Sequence, residues 1–227
     1  MFYQSIRIQI AIITKLINNT KFKIDKGDHL LDTHTHILWN IDDGSKNQCM
    51  SLQMLEIAAR SGTKAIFATP HVIERANKPS WEEIKEKTQQ LRQLCAEAQI
   101  DIMLYPGAEV QMNWELLPEL GATGAYCLNG GRYLLIELPA AEIPAYADEF
   151  WYELELKGIT PILAHPERYQ QLRENPDLLL LWRRRGMLMQ CNSGSFTGMF
   201  GSSVCENAKV LLANGLVDLL GSDGHRS

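Results

Sequence analysis

LLDTHTH, at residues 30–36, joins a short apolar run to two histidines that a single residue separates. Leu30 and Leu31 predict a buried strand, and the polar residues after them predict the loop at its end. Side chains on an extended segment alternate between two faces, so His34 and His36 can point to the same side. The segment therefore predicts a strand that delivers a pair of imidazoles at its C-terminal end.

The same order of short apolar strand and longer amphipathic segment repeats along the chain. Further strands are predicted at 64–68, 101–105, 133–138, 159–164, 187–191 and 217–220, and helices at 47–61, 80–98, 142–157, 176–185 and 203–214. Asn129-Gly130-Gly131 is typical of a turn and predicts a hairpin. Strands separated by helices indicate parallel βα units, and about seven such units predict an α/β barrel in one domain.

The composition argues against several classes of protein. The net charge of −5 over 227 residues disfavours nucleic-acid binding, because phosphate backbones select for a basic face. The five cysteines are scattered and form no C-x-x-C pair, which predicts mostly buried thiols in a reducing cytoplasm rather than a disulfide framework. The apolar run at 6–17 is short and interrupted by charges, so it predicts neither a membrane anchor nor a signal peptide.

Histidines and carboxylates are concentrated at the predicted strand ends. Five of the six histidines follow a strand directly, and carboxylates occupy equivalent places; the set is His34, His36, His71, His165, His225, Asp43, Glu109, Glu137 and Asp223. The C-terminal ends of barrel strands open on one face, so the topology gathers these side chains. Imidazole and carboxylate together are typical ligands of transition metals. The pattern predicts a metal centre, and His29, which lacks this setting, is expected to be structural.

Seven short motifs carry a family resemblance. They are Asp32-Thr33-His34-Thr35-His36, Ile41-Asp42-Asp43-Gly44, Thr69-Pro70-His71, Gly107-Ala108-Glu109, Ile136-Glu137-Leu138, His165-Pro166-Glu167-Arg168-Tyr169 and Ser222-Asp223-Gly224-His225. In order and spacing they resemble the PHP (polymerase and histidinol phosphatase) superfamily. More narrowly, they resemble its bacterial branch of manganese-dependent protein-tyrosine phosphatases linked to capsule and exopolysaccharide synthesis. The match predicts a phosphatase domain at 29–227 and leaves 1–28 as an N-terminal extension of uncertain structure.

The resemblance implies a distorted (β/α)7 TIM-like barrel that holds three metal ions. One ion would be held by His34, His36, Glu137 and Asp223, a second by His71, Glu109 and His165 with Glu137 bridging, and a third with help from Asp43 and His225. Manganese is the expected metal, with iron, zinc or magnesium as alternatives. Arg168 and His225 are the expected catalytic residues, with Arg168 binding the substrate phosphate.

The resemblance also implies a mechanism and a partner. A metal-bridging hydroxide would attack phosphorus in line. The expected substrate is the phosphotyrosine-containing tail of a membrane-bound bacterial tyrosine kinase, with oligomeric state left open and a homo-oligomer among the alternatives. A cysteine mechanism is not expected, because Arg132 follows Cys127 with one intervening residue too few for the loop of a cysteine phosphatase.

The chain departs from this branch at its C-terminus. Relatives usually continue with a further arginine and a terminal helix, whereas this sequence ends at Ser227, with Arg226 directly after His225. A barrel without the family's C-terminal end is therefore expected. Two alternatives to the tyrosine phosphatase stay open: a PHP enzyme acting on a small phosphate ester such as histidinol phosphate, and a non-catalytic homologue that binds phosphoproteins.

Overall fold

A computed structural model describes residues 30–121 and 124–227 and shows an α/β fold. The predicted extension and His29 lie outside the described residues. The strands are β1 Leu30–Thr35, β2 Thr63–Ala68, β3 His71–Val72, β4 Met103–Pro106, β5 Glu109–Gln111, β6 Tyr133–Glu137, β7 Thr160–Ala164, β8 Leu188–Asn192 and β9 Leu219–Gly221. The helices are α1 Gln48–Arg60, α2 Trp81–Glu97, α3 Ala147–Leu156, α4 Gln170–Glu174, α5 Asp177–Arg184, α6 Ser193–Phe196 and α7 Ser202–Ala213.

The described strands form two parallel sheets that meet at both ends. One sheet has the order β1-β2-β4 and the other β3-β5-β6-β7-β8-β9. Strands β2 and β3 follow one another across Thr69-Pro70, and β4 and β5 across Gly107-Ala108. At the other end, the backbone N–H of His36 donates to the carbonyl oxygen of Gly224 at 3.0 Å. The sheets therefore curl, with the C-terminal ends of their strands at one edge.

Alternation along the strands divides the apolar side chains between two buried clusters. Ala65 and Phe67 of β2 belong to a smaller cluster, whereas Ile66 and Ala68 belong to a larger one. The smaller cluster also contains Tyr105, Leu128, Tyr133, Leu135, Ile162, Ala164 and Leu219. The larger cluster includes the buried faces of the helices. Because successive side chains point to opposite faces of a strand, the curled sheet is covered on both sides.

The helices confirm the sequence pattern. Ser80 is the N-cap of α2, and its side chain accepts a hydrogen bond from the backbone N–H of Glu83. The other predicted helices lie within a few residues of the predicted positions, except that α3 begins at Ala147, later than expected. Among the described helices, none combines the length and apolarity needed to cross a bilayer.

The predicted hairpin at Asn129-Gly130-Gly131 is wrong. The segment forms a 3-10 turn at Leu128–Gly130, in which Asn129 has a φ of 55°. The strand that follows, β6, pairs in parallel with β5 and β7. The left-handed backbone that an Asn-Gly pair favours is therefore present, but it leads into a parallel strand rather than joining two antiparallel ones.

Cysteines are mostly buried, as the composition predicts. Cys95, Cys127 and Cys191 are buried, Cys205 is partly buried, and Cys49 is exposed. All five are free thiols.

Candidate metal centre

Strand ends bring the predicted metal-binding residues to one edge of the sheet. His34 lies near the end of β1, His71 begins β3, Glu109 begins β5 and Glu137 ends β6. His165 follows β7, and Asp223 and His225 follow β9. The donor atoms fall into three groups that can each hold an ion: His34, His36, Glu109 and Asp223; His36, Asp43, His71 and His225; and His71, Glu109 and Glu137.

Glu109 occupies the middle of this arrangement, and its side chain is fully buried. Its Oε2 lies 3.1 Å from Nε2 of His34, 3.2 Å from Nε2 of His36 and 3.0 Å from Nδ1 of His71; its Oε1 lies 2.9 Å from Nε2 of His165. One carboxylate thus contacts histidines from three separate parts of the sheet.

The donor atoms are grouped differently from the expectation at one point. The carboxylate whose donor atom lies with those of His34, His36 and Asp223 is Glu109 rather than Glu137. The register explains the exchange, because Glu109 pairs with Leu135 and Gln111 pairs with Glu137. Glu137 therefore lies two residues, about 7 Å, further towards the open edge. There its Oε1 is 3.5 Å from Nδ1 of His71.

Asp43 and His225 form the outer part of the cluster. Oδ1 of Asp43 lies 3.4 Å from Nε2 of His225 and 3.7 Å from Nε2 of His71. The ring of His225 stacks on that of His36 with centroids 4.0 Å apart. This part is more open than the rest, since the Asp43 side chain is 69% exposed.

The donor set fits a metal cluster. Oε2 of Glu109 and Nδ1 of His71 are buried, and among the described residues neither makes a hydrogen bond although they lie 3.0 Å apart. Buried polar atoms normally have a partner, so such a pair indicates that both atoms face a ligand. Imidazole nitrogens and carboxylate oxygens are suitable donors for zinc, iron and manganese.

Side chains outside the predicted set fix the histidine tautomers. Nδ1 of His36 lies 2.7 Å from Oδ2 of Asp42, and Nδ1 of His34 lies 2.9 Å from Oε1 of Gln190. Both partners are acceptors, so each Nδ1 donates and each Nε2 keeps a free lone pair for a metal. Asn192 donates similarly from Nδ2 to Oδ2 of Asp223 at 2.7 Å.

Sequence reasoning missed these supporting residues. Asp42 lies inside the motif Ile41-Asp42-Asp43-Gly44, but its position in the sequence does not by itself indicate a role. Gln190 and Asn192 alternate in β8, where inward-facing polar residues on a buried strand are unusual, and that pattern was the available signal.

The backbone at two candidate ligands is strained. His165 has a φ of 35° and Asp223 a φ of 53°, in the left-handed region that non-glycine residues seldom adopt. Such conformations cost on the order of 1–3 kcal/mol and cluster at functional sites. The backbone of Gly221 packs closely against His34, and a Cβ at position 221 would lie only 2.5 Å from Cβ of His34. This position therefore has no room for a side chain.

The buried charges shift one another's pKa values. Burial acts to raise the pKa of Glu109, but the surrounding histidines outweigh it and hold the pKa well below its usual range. Burial acts to lower the pKa of His36, yet the carboxylates of Asp223, Asp42 and Glu109 outweigh it and raise that pKa well above its usual value. Burial and the charge of Glu109 raise the pKa of Glu137. The cluster therefore stabilises carboxylate charge at its centre.

The cluster forms one end of a cavity of about 760 Å³. Arg168 lines this cavity, and its Nη1 donates to Oδ2 of Asp223 at 2.8 Å. Its guanidinium carbon lies 4.8 Å from the centroid of the Phe200 ring. A positively charged fork thus stands beside the candidate metal ligands, where it can bind an anionic oxygen.

A family model described as "Capsular polysaccharide synthesis, CpsB/CapC" matches residues 30–227. The chain belongs to the CpsB/CapC family. Among its relatives, the tyrosine-protein phosphatase YwqE of Bacillus subtilis is 35% identical over 196 residues, which are 86% of this chain and 77% of YwqE. The tyrosine-protein phosphatase CpsB of Streptococcus pneumoniae is 29% identical over 201 residues, or 86% of this chain and 83% of that protein. The expected kinship with capsule-linked tyrosine phosphatases is confirmed.

Solved structures show that this CpsB/CapC chain shares its fold with other phosphatases. A chain from the crystal structures of YwqE from Bacillus subtilis and CpsB from Streptococcus pneumoniae, described as unique metal-dependent tyrosine phosphatases, superposes with a TM-score of 0.81. It is 34% identical, and the match covers 87% of this chain and 80% of that one. The histidinol phosphate phosphatase of Lactococcus lactis superposes with a TM-score of 0.55 at 18% identity, covering 86% of each chain, which shows a shared fold.

Proposed function

We propose that this CpsB/CapC chain is a metal-dependent protein-tyrosine phosphatase. The observation that carries the proposal is the buried carboxylate of Glu109 among His34, His36 and His71, with Arg168 at the mouth of the same cluster. The tyrosine phosphatase names of relatives that match 86% of the chain support the choice of substrate.

The residues divide into ligands and a phosphate-binding group. A bound cluster of divalent ions, for which manganese is the proposed metal, would supply Lewis acidity that activates water and neutralises phosphoryl charge. Arg168 binds the phosphate oxygens, because its planar fork can hold two oxygens at once. Nδ1 of His225 lies 2.9 Å from the carbonyl oxygen of Asp223 and must donate the hydrogen bond, because a carbonyl oxygen can only accept. Nε2 then carries a lone pair that is available to a metal ion, which favours a ligand role of His225 over a role in proton transfer.

A cysteine nucleophile does not compete with this assignment. Cys127 is fully buried, and burial raises the pKa of its thiol to about 12. A thiol in that state is neither exposed to substrate nor ionised at neutral pH.

The proposal extends to architecture and partner. The proposed architecture is a distorted (β/α)7 barrel in which β2 with β3, and β4 with β5, would each count as one strand. The bridge between Thr35 and Gly224, where β1 meets the end of β9, supports closure. The domain would comprise 29–227, with three ions held by His34, His36, Asp43, His71, Glu109, Glu137, His165, Asp223 and His225. The substrate would be the phosphotyrosine-containing tail of a bacterial tyrosine kinase, met in the cytoplasm.

The test compares phosphate release from a phosphotyrosyl peptide and from histidinol phosphate by the manganese-loaded chain. We expect peptide hydrolysis that a chelator abolishes and that His165→Ala removes, while His29→Ala, a matched histidine control, retains it. Release from histidinol phosphate alone would replace the proposed substrate with a small ester. Bound metal, confirmed by elemental analysis, without turnover of either substrate would favour the non-catalytic alternative.

A further inference from the structure

One wall of the cavity is built from two segments that are tied together. The loop at 138–146 faces helix α4 and the residue before it. The backbone N–H of Leu138 donates to the hydroxyl oxygen of Tyr169 at 2.9 Å, and that of Ile143 donates to Oε1 of Gln171 at 2.7 Å. Both segments line the cavity. The two ties hold this wall in a defined position relative to the metal cluster.

Arg173 on this wall is a cation without a partner in the described part of the chain. The other arginine that lines the cavity, Arg168, already contacts Asp223 and Phe200. Arg173 is half-buried, and among residues 30–121 and 124–227 its side chain makes no ion pair or hydrogen bond. The neighbouring Glu174 accepts a hydrogen bond from Gln170 instead, at 2.7 Å.

The carboxylates of the metal cluster have other partners as well. Asp43, Glu109, Glu137 and Asp223 are directed to the histidines, and Asp223 also accepts a hydrogen bond from Arg168. A half-buried guanidinium attracts anions more strongly than an exposed one, because solvent and salt screen it less. Among the residues that the structure describes, the wall therefore presents an unpaired positive charge to a substrate that extends along the cavity from the phosphate-binding end.

We propose that Arg173 binds an anionic side chain of the substrate peptide close to the phosphotyrosine. The inference rests on the proposed function and names its substrate class: phosphotyrosyl segments that carry carboxylates or a second phosphate nearby. A cavity of about 760 Å³ lies within the range that buries ligands of drug size, so it has room for more than the phosphate group. The planar guanidinium matches either anion, because it can donate to two oxygens in parallel.

The experiment measures kcat/KM on three phosphotyrosyl peptides of otherwise identical sequence. Flanking residues on both sides of the phosphotyrosine are glutamate in the first and glutamine in the second, and the third replaces one flanking glutamine with a second phosphotyrosine. The manganese-loaded chain, Arg173→Gln and the control Arg60→Gln are compared, and p-nitrophenyl phosphate reports activity without a peptide. Arg60 is a suitable control because its side chain is 78% exposed and pairs with Glu56 on α1.

We expect the unmodified chain and Arg60→Gln to prefer at least one anionic peptide over the neutral one by about fivefold, the upper range for a partly exposed ion pair. Arg173→Gln should lose this preference and keep its activity on p-nitrophenyl phosphate. The anionic peptide that is preferred identifies carboxylate or phosphate as the bound group.

Three results would overturn the inference in distinguishable ways. Equal hydrolysis of all three peptides by the unmodified chain rejects the anion subsite and leaves the phosphatase assignment intact. An equal loss on p-nitrophenyl phosphate in Arg173→Gln places Arg173 on the reacting phosphate instead. Failure of the metal-loaded chain to hydrolyse any phosphotyrosyl peptide rejects the proposed function, and the inference with it.

Discussion

Arg168, the proposed phosphate-binding residue, is connected directly to the candidate metal cluster through Asp223. Nη1 of Arg168 donates to Oδ2 of Asp223 at 2.8 Å, while Oδ1 of the same carboxylate lies 3.3 Å from Nε2 of His36. One carboxylate therefore faces the arginine on one side and the histidines on the other. A phosphate oxygen bound by Arg168 must lie next to the cluster, which is the geometry that phosphoryl transfer requires.

Replacing Arg168 should impair phosphate binding and turnover together. We expect Arg168→Ala to lower kcat/KM for a phosphotyrosyl peptide by about 100-fold, as for loss of one donor that stabilises developing charge. Arg168→Lys should have a kcat/KM at most about tenfold higher than that of Arg168→Ala, because lysine keeps the charge but lacks the planar fork. Steady-state kinetics at saturating manganese provide the measurement, with Arg60→Ala as control. Full activity of Arg168→Lys would show that the fork is not needed.

Phe200 should position the guanidinium of Arg168. Its ring centroid lies 4.8 Å from the guanidinium carbon, and its segment is anchored because Oγ of Ser195 donates to Oε1 of buried Glu167 at 2.7 Å. We expect Phe200→Leu to raise KM for the phosphopeptide roughly twofold to fivefold, the size of a partly exposed cation–π contact, with kcat nearly unchanged. Met199→Leu, at the 74% exposed neighbouring position, is the control. An equal effect of both substitutions would refute the positioning role.

The fold was predictable because its signals are local. Apolar runs that alternate with amphipathic segments predict parallel βα units wherever they occur, and the cap at Ser80 is encoded by its own neighbours. The hairpin failed because the pair Asn129-Gly130 determines only its own dihedral angles. The strand that follows the turn is β6, and its position is decided by pairing with β5 and β7, which are distant in sequence.

The membership of the candidate site was easier to predict than its internal arrangement. Strand ends identify which histidines and carboxylates meet, since the fold gathers them at one edge. The exchange of Glu109 and Glu137 depends on the register between β5 and β6, which no local pattern encodes. The contact between His34 and Gln190 spans 156 positions and likewise depends on the folded sheet.

Asp42 should matter for metal affinity without being a ligand. Its Oδ2 accepts from Nδ1 of His36 at 2.7 Å and from the backbone N–H of His71 at 2.9 Å. We expect Asp42→Asn to weaken manganese binding by about 10- to 100-fold, as for loss of a carboxylate that orients a ligating histidine. Titration with manganese measures this, and excess metal should recover most activity. Asp101→Asn, which alters an exposed pair with Lys64, is the control. Loss of activity that excess metal leaves unchanged would contradict the orienting role.

Alkylation of thiols should leave the activity intact. The Cys127 thiol is fully buried with its pKa raised to about 12, and only the thiolate reacts readily. We expect iodoacetamide to modify exposed Cys49 on the folded protein, with activity within about twofold of the untreated enzyme. Cys127→Ala should also stay active, and Cys49→Ser identifies the modified site by mass spectrometry. Parallel loss of activity and of the Cys127 thiol would revive a cysteine mechanism.

The protein stripped of metal should lose stability as the pH rises from about 6.5 towards about 8. Burial acts to lower the pKa values of His34, His36 and His71, but the surrounding carboxylates outweigh it and raise all three. A raised folded-state pKa contributes stability that is complete below the unfolded value of about 6.5 and lost as pH rises through the folded value. Burial and the charge of His36 lower the pKa of His225, so this residue contributes a pH dependence of the opposite sign, but it is one histidine against three.

Metal binding requires unprotonated imidazoles, so the rise in Tm on adding manganese should grow over the same pH interval. Thermal unfolding at constant ionic strength measures both trends. A stripped protein that becomes more stable from about pH 6.5 to 8 would show that these histidines are not charged in the folded state.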